Sequence, residues 1–370
     1  MRIGLITSIN TNIGDDLIRT GIQKLLRSAF GKKVEFVFLN KHRPLDAFAL
    51  PHVESSLRRL PVGATKARNL AARLVHPFRT NIFSQCDMIV QCGAPVFFPD
   101  SYRAEWALPV WDLIIGDLYK KIPIFNLAAG SCYPWEAQPA AFPEGRDRAF
   151  ARMILERSRL TTCRDDLAQA LCAELGFKLP AIECTAFLAA RDSIVAAPQD
   201  RRKLILVNYM KGGGHFSWGQ EIDASNWETT FRQLIARLSK LGDVAFLAHN
   251  AKELAAHQNM FPDARHIQPA SVEHYFELSG QVRLGVFNRL HAAVGWAGAG
   301  VPTIAIGTDT RMKMAEKIGI PAYYVRDCSA QQLESVAVDL WNNADREFDR
   351  YQAISQRAFE QYSSLIAAHA

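Results

Sequence analysis

The sequence predicts an α/β protein of two domains, each with a largely parallel sheet, facing each other across a cleft. Three observations carry this expectation. Short apolar, strand-like runs alternate with helical patterns along the chain. The alternation breaks near residues 195–200 and then restarts. Finally, 370 residues exceed what one core of about 150 residues accommodates. With 49% hydrophobic and 22% charged residues, the chain has apolar surface enough to fill such cores, and wholesale disorder is excluded.

Residues 3–7 read as a buried strand and residues 8–14 as a polar loop. Leu17, Ile18, Gly21, Ile22, Leu25 and Leu26 then recur at helical spacing before a second strand over 34–39. Further strands over 87–92 and 122–127 end in Gly93 and in Ala128-Ala129-Gly130. A strand over 160–163 runs into Arg164 and a helix to Leu175, with Gly176 suited to the position past its end. Beyond the break, strands are expected over 204–208, 244–248, 282–287 and 303–306, and helices over 231–241, 272–278, 292–299 and 313–318. The domains are therefore 1–195 and 196–345. The last helix, over roughly 330–365, is expected to cross back, so that 346–370 packs on the first domain.

The chain carries 43 Lys/Arg against 37 Asp/Glu, a net charge of +6, and the surplus lies in residues 1–190. This is too mild for a duplex-binding protein, so no nucleic-acid partner is expected; it suits an anionic small molecule or an anionic membrane face. Residues 57–79 hold Arg58, Arg59, Lys66, Arg68, Arg73 and Arg79 with no acid, interleaved with Leu57, Leu60, Leu70, Leu74 and Val75. That stretch reads either as a solvated face or as a basic amphipathic segment meeting a membrane surface or a lipid-diphosphate acceptor. The seven cysteines show no C-x-x-C or zinc spacing and read as reduced, buried thiols, with no metal site. The start lacks the apolar core of a signal peptide, and no run of about 18 apolar residues occurs, so a cytoplasmic protein is expected.

Candidate chemistry sits where strands end. Asn12-Ile13-Gly14-Asp15-Asp16 opens the first helix: its free N–H groups suit an anion, although either acid serves equally as a cap. Three spaced glycines are absent there, which argues against a dinucleotide cofactor. Arg289-Leu290-His291 follows a strand and opens a small-residue helix; a guanidinium fork beside an imidazole suits anion binding with general acid catalysis. Lys313 opens another helix, an unfavourable place for a cation unless a ligand uses it. Lys211, followed by three glycines, lies either in a phosphate-embracing nest or in a flexible surface loop.

Taken in order, Asn12-Ile13-Gly14-Asp15, Gly93, Gly130, Cys163-Arg164-Asp165-Asp166, Arg289-Leu290-His291, Gly300-Val301-Pro302, Asp309 and Lys313 resemble the polysaccharide pyruvyl transferase family. The resemblance implies two Rossmann-like domains in a GT-B-like arrangement. It also implies transfer of the pyruvyl unit of phosphoenolpyruvate, as donor substrate and without a cofactor, to a sugar of a glycan or lipid-linked oligosaccharide, usually as a ketal. By position it gives Arg289 and His291 the donor; a donor that carries a phosphate and a carboxylate calls for several cations, which Arg289, Lys313, Lys211 and Arg164 are candidates to supply. His291 becomes the acid and Asp15 a base, while Asn12, Gly14, Gly93 and Gly130 fall to the acceptor side and its loops. Two departures stand out: the glycine-rich segment is reduced to Gly93-Ala94-Pro95, and Tyr209-Met210-Lys211 replaces an expected arginine. The rival readings are a glycosyltransferase using a nucleotide-activated sugar and a non-catalytic glycan- or phosphate-binding protein.

Overall fold

The computed structural model describes residues 1–9, 12–48, 70, 73–74, 80–191, 203–216 and 218–370. The expected domain boundary at 195–200, and the basic segment 57–79 apart from Leu70, Arg73 and Leu74, lie outside the described residues.

The first sheet comprises β1 (Arg2–Thr7), β2 (Glu35–Asn40), β3 (Met88–Cys92), β4 (Pro95–Phe97), β5 (Ile124–Ser131) and β6 (Leu160–Cys163). Its order is β2-β1-β3-β5-β4, with β6 also paired to β5. The second comprises β7 (Leu204–Asn208), β8 (Asp243–Leu247), β9 (Arg265–Ile267), β10 (Val282–Phe287), β11 (Thr303–Gly307) and β12 (Ala322–Tyr324), in the order β12-β11-β10-β7-β8-β9. All the pairings within both sheets are parallel. Strand order reverses between β1 and β3 in one sheet and between β7 and β10 in the other. Such reversals open a crevice outside the carboxyl ends of the strands, where ligands bind in doubly wound folds.

Helix α1 (Ile13–Phe30) shows how the sequence builds this frame. Asn12 caps it by accepting from the Gly14 N–H, Asp15 and Asp16 favour its positive end, and Gly31 ends it at φ +88°. Its buried face, Leu17, Ile18, Gly21, Ile22, Leu25 and Leu26, joins a core that also takes in residues 184–190, α7 (Leu290–Gly298) and α10 (Ala344–His369). That core spans both sheets, and Tyr362 of α10 donates to the Glu183 carbonyl at 3.0 Å. The other faces of the two sheets each carry a separate core.

Close helix approach in the shared core depends on two glycines. A Cβ on Gly21 would stand 1.9 Å from the Thr185 carbonyl oxygen, and one on Gly298 2.1 Å from that of Phe187. Backbone cannot yield as a side-chain tip does. Gly21→Ala or Gly298→Ala is therefore expected to cost about 1–3 kcal/mol, read as a lower midpoint in urea with an unchanged m-value.

The remaining helices are α2 (Arg146–Arg157), α3 (Asp166–Glu174), α4 (Ala224–Leu238), α5 (Ala251–Met260), α6 (Val272–Glu277), α8 (Lys313–Lys317) and α9 (Ala330–Asn342). The helix expected over 330–365 is two helices, α9 and α10, broken at Asn343. Strands β4, β9 and β12 span three residues each, too few for a periodic signal. All seven cysteines are free thiols. Among the described residues no helix is long and apolar enough to cross a membrane.

Candidate functional site

The carboxyl ends of both sheets converge on one cavity of about 750 Å³. The first half contributes Ser8 after β1, Asn12 and Asp15 at the start of α1, Lys41 and His42 after β2, Phe98 after β4, and Glu105 with Trp106. The second contributes His215, Phe216 and Trp218 after β7, His249 and Asn250 after β8, Arg289 and His291 after β10, and Arg311 after β11.

The two walls are joined by direct bonds. Asn12 Oδ1, which caps α1, also meets His249 Nδ1 at 3.1 Å. Arg164 Nη1 meets His291 Nε2 at 3.2 Å. The segments after β5 and β11 form an antiparallel bridge at Pro134 and Asp309, with Tyr133 and Thr310 exchanging bonds of 2.9 and 3.0 Å. Gly14 belongs to this junction: a Cβ there would lie 3.0 Å from His291 Cβ, so its bareness admits His291.

Three cations line the cavity and a fourth, Arg164, stands behind His291; they differ in how they are neutralised. Arg289 donates through Nε, at 2.7 Å, and through Nη2 to Glu253 Oε1. Arg311 grips Asp309 with bonds of 2.8 and 2.7 Å and lies over the Phe216 ring. Arg164, by contrast, is 1% exposed and pairs with no carboxylate among the described residues. Its Nη1 also reaches Cys184 Sγ at 3.7 Å, while Nη2 is buried without a hydrogen-bond partner among the described residues. Lys41 is buried over Trp106 and likewise forms no ion pair there. Burial pushes its ammonium below the ordinary lysine range, and Arg164 adds to this, against the opposing pull of Asp15.

A guanidinium only donates, so Nε2 of His291 accepts from Arg164 and the neutral ring carries its proton on Nδ1. Burial first, then the charges of Arg164 and Arg311, hold His291 well below the ordinary histidine range. His249 is pushed down to about 4, chiefly by burial. Burial would raise the Glu253 carboxyl, but Arg289, His249 and the His249 N–H together outweigh it and hold the group below its ordinary range.

The structure thus brings Asn12, Asp15, Arg289 and His291 to the cavity, with Arg164 behind His291. It does not bring the other candidates there. Lys313 lies 5.7 Å over the Trp135 ring and lines a separate pocket with Asp166 and Lys317, because α8 turns it away; Arg311, two residues earlier, faces the cavity instead. Lys211 is exposed on a short helical turn, and its loop presents Met210 and His215 to the cavity. Gly93 and Gly130 do not line it. A Cβ on Gly93 would crowd Ala128 and Ile18, and one on Gly130 would stand 2.4 Å from Arg164 Nε, so these glycines make room for packing and for the guanidinium. Lys41, His42, Glu105, His249 and Glu253 went unnoticed in the sequence. His249-Asn250 directly follows an expected strand and Lys41-His42 comes one residue past another, a signal that was available; Glu105 offered none.

The fold is shared with sugar-nucleotide enzymes. A putative UDP-N-acetylglucosamine 2-epimerase from Listeria monocytogenes superposes with a TM-score of 0.53 at 13% identity, over 95% of this chain and 90% of that one. The Neisseria meningitidis UDP-GlcNAc 2-epimerase bound to UDP-GlcNAc gives 0.53 at 10% identity, over 100% and 99%. The S. aureus MnaA–UDP structure gives 0.52 at 12%, over 95% and 90%. These likenesses show a GT-B-like fold and no more. No curated protein matches the sequence. Over residues 12–310 the sequence matches the family model described as polysaccharide pyruvyl transferase; the chain belongs to that family, and it is a transferase.

Proposed function

We propose that this transferase takes the pyruvyl group of phosphoenolpyruvate and closes it as a ketal on two hydroxyls of a sugar in a glycan or lipid-linked precursor, at the cytoplasmic face of the membrane. The observation that carries the reading is Arg164, a buried cation with no carboxylate partner among the described residues, which stands behind His291 of the cavity that Lys41 lines. Phosphoenolpyruvate presents a phosphate and a carboxylate, and both favour guanidinium partners.

In this reading Arg164 turns from His291 toward the entering anion, which frees Nε2. The anion's charge raises the proton affinity of the imidazole, so Nε2 takes up a proton from water, and His291 then delivers it to the methylene carbon. That makes C2 electrophilic. One hydroxyl adds, phosphate leaves with its bridging oxygen, and the second hydroxyl closes the ketal. The rings of Phe98, Phe216 and Trp218, with centroids 5.5–6.3 Å apart, give a sugar an apolar face to lie against.

The second reading, a nucleotide-sugar transferase, is favoured by the UDP-bound neighbours of the same fold. Melting separates the two. Phosphoenolpyruvate at about 100 times its Kd is expected to stabilise the protein by ~2.7 kcal/mol and UDP-GlcNAc not at all; the reverse outcome reverses the assignment. His291→Ala with undiminished acceptor-dependent phosphate release would remove His291 from the acid role.

A further inference from the structure

A second proton-transfer device lies on the opposite wall of the cavity. His42 Nδ1 is 2.6 Å from Glu105 Oε1, and His42 Nε2 is 3.2 Å from Ser8 Oγ. A carboxylate beside Nδ1 fixes the proton there, leaving the Nε2 lone pair to accept from the serine hydroxyl. Three elements place the group. Ser8 follows β1, with its carbonyl accepting from Arg19 Nη1 at 3.0 Å. His42 follows β2, with its N–H donating to Asn40 Oδ1 at 3.1 Å. Glu105 follows the turn at Ser101–Arg103. All three line the cavity.

We propose that Glu105, His42 and Ser8 form a base relay for the acceptor: His42 Nε2 draws the proton from a hydroxyl that takes the position of Ser8 Oγ. A nucleophile, a base and an orienting carboxylate within hydrogen-bond reach are the recurrent signature of an activated hydroxyl. Lys41, the neighbour of His42, feels the charges of both Arg164 and Glu105, so relay and anion site adjoin. Asp15, the base expected from the sequence, lines the same cavity, where its charge acts on Lys41.

As a step in pyruvyl transfer, this inference rests on the function proposed above. The two acceptor hydroxyls shed two protons to Nε2. One makes good the proton delivered to the methylene carbon, and the other leaves on phosphate, so the reaction balances without a further reactant.

The test begins with diisopropyl fluorophosphate, which involves no phosphoenolpyruvate. Ser8 Oγ attacks phosphorus, fluoride leaves, and the hydroxyl proton passes to His42. Peptide mass spectrometry is expected to find the label on Ser8, forming at least tenfold faster than in His42→Gln and not at all in Ser8→Ala. Glu105→Asp, which keeps the charge, is expected to label faster than Glu105→Gln, marking Glu105 as a positioning residue. Absence of label on Ser8, or equal rates in His42→Gln of native melting temperature, overturns the relay. In turnover with phosphoenolpyruvate and p-nitrophenyl hexopyranosides, His42→Gln is expected to lose at least 100-fold in phosphate release while phosphoenolpyruvate still stabilises it. Release within threefold of wild type overturns the acceptor role. Failure of phosphoenolpyruvate to stabilise the wild type defeats the donor assignment, and with it this use of the relay, while Ser8 labelling would still report an activated hydroxyl.

Discussion

Arg164→Gln is expected to abolish stabilisation by phosphoenolpyruvate and to lower transfer by roughly two orders of magnitude or more, without lowering the melting temperature. The first part follows from charge-assisted hydrogen bonds, each contributing about 1.5–3 kcal/mol, which is roughly 10- to 150-fold in affinity. The second follows from burial of a charge whose hydrogen-bond partners among the described residues include no carboxylate. A cation that is 1% exposed and has no carboxylate partner among the described residues costs the fold more than it returns, so its removal relieves the protein rather than harming it. A merely structural arginine behaves the other way: its loss lowers stability and leaves the ligand response intact. The same substitution removes one of the charges that depress His291. By NMR, the His291 ring is therefore expected to titrate at higher pH in Arg164→Gln than in wild type, while still below the ordinary range because its burial persists. Retention of the phosphoenolpyruvate shift in the variant sinks the donor-site assignment.

The strand ends were legible in the sequence because buried parallel strands announce themselves as continuous apolar runs. The residues just past them face the crevice by topology alone, Arg289 and His291 among them, and Lys41 and His249 equally. Topology does not decide pairing. Whether an arginine serves a ligand or a carboxylate depends on which distant acid the fold brings alongside. Glu253, 36 residues from Arg289, is invisible as a partner until β8 and β10 flank β7. Arg164 reads in the sequence as one more strand-end cation. Only its burial without an acid among the described residues, in space that Gly130 leaves open, sets it apart. Lys313 shows the converse failure, because being two residues farther along a short helix turned it to another pocket.

Glu253 carries the largest expected effect on stability. Its carboxylate accepts from Arg289 on Oε1, from Asn250 Nδ2 at 2.9 Å, from Asn208 Nδ2 at 3.0 Å and from the His249 N–H at 3.0 Å. It thereby ties the ends of β7, β8 and β10 together at the point where the strand order reverses. Glu253→Ala leaves Arg289 charged, 15% exposed and without its counterion, at a cost of about 3–5 kcal/mol. Glu253→Gln, which keeps an acceptor but no charge, is expected to lose less, and adding Arg289→Gln is expected to restore part of the loss. Equal stability of Glu253→Ala and wild type rules the tie out. The pH dependence has a definite sign. Glu253 is depressed in the folded state, so its contribution is present above the unfolded value of 4.5 and lost as pH falls through the lower folded value. His249, depressed from 6.5 to about 4, also binds its proton more readily when unfolded. Its contribution is full above 6.5 and shrinks between there and about 4. Wild-type stability is thus expected to decline in two stages on acidification, and Glu253→Gln to retain the first stage while flattening the second.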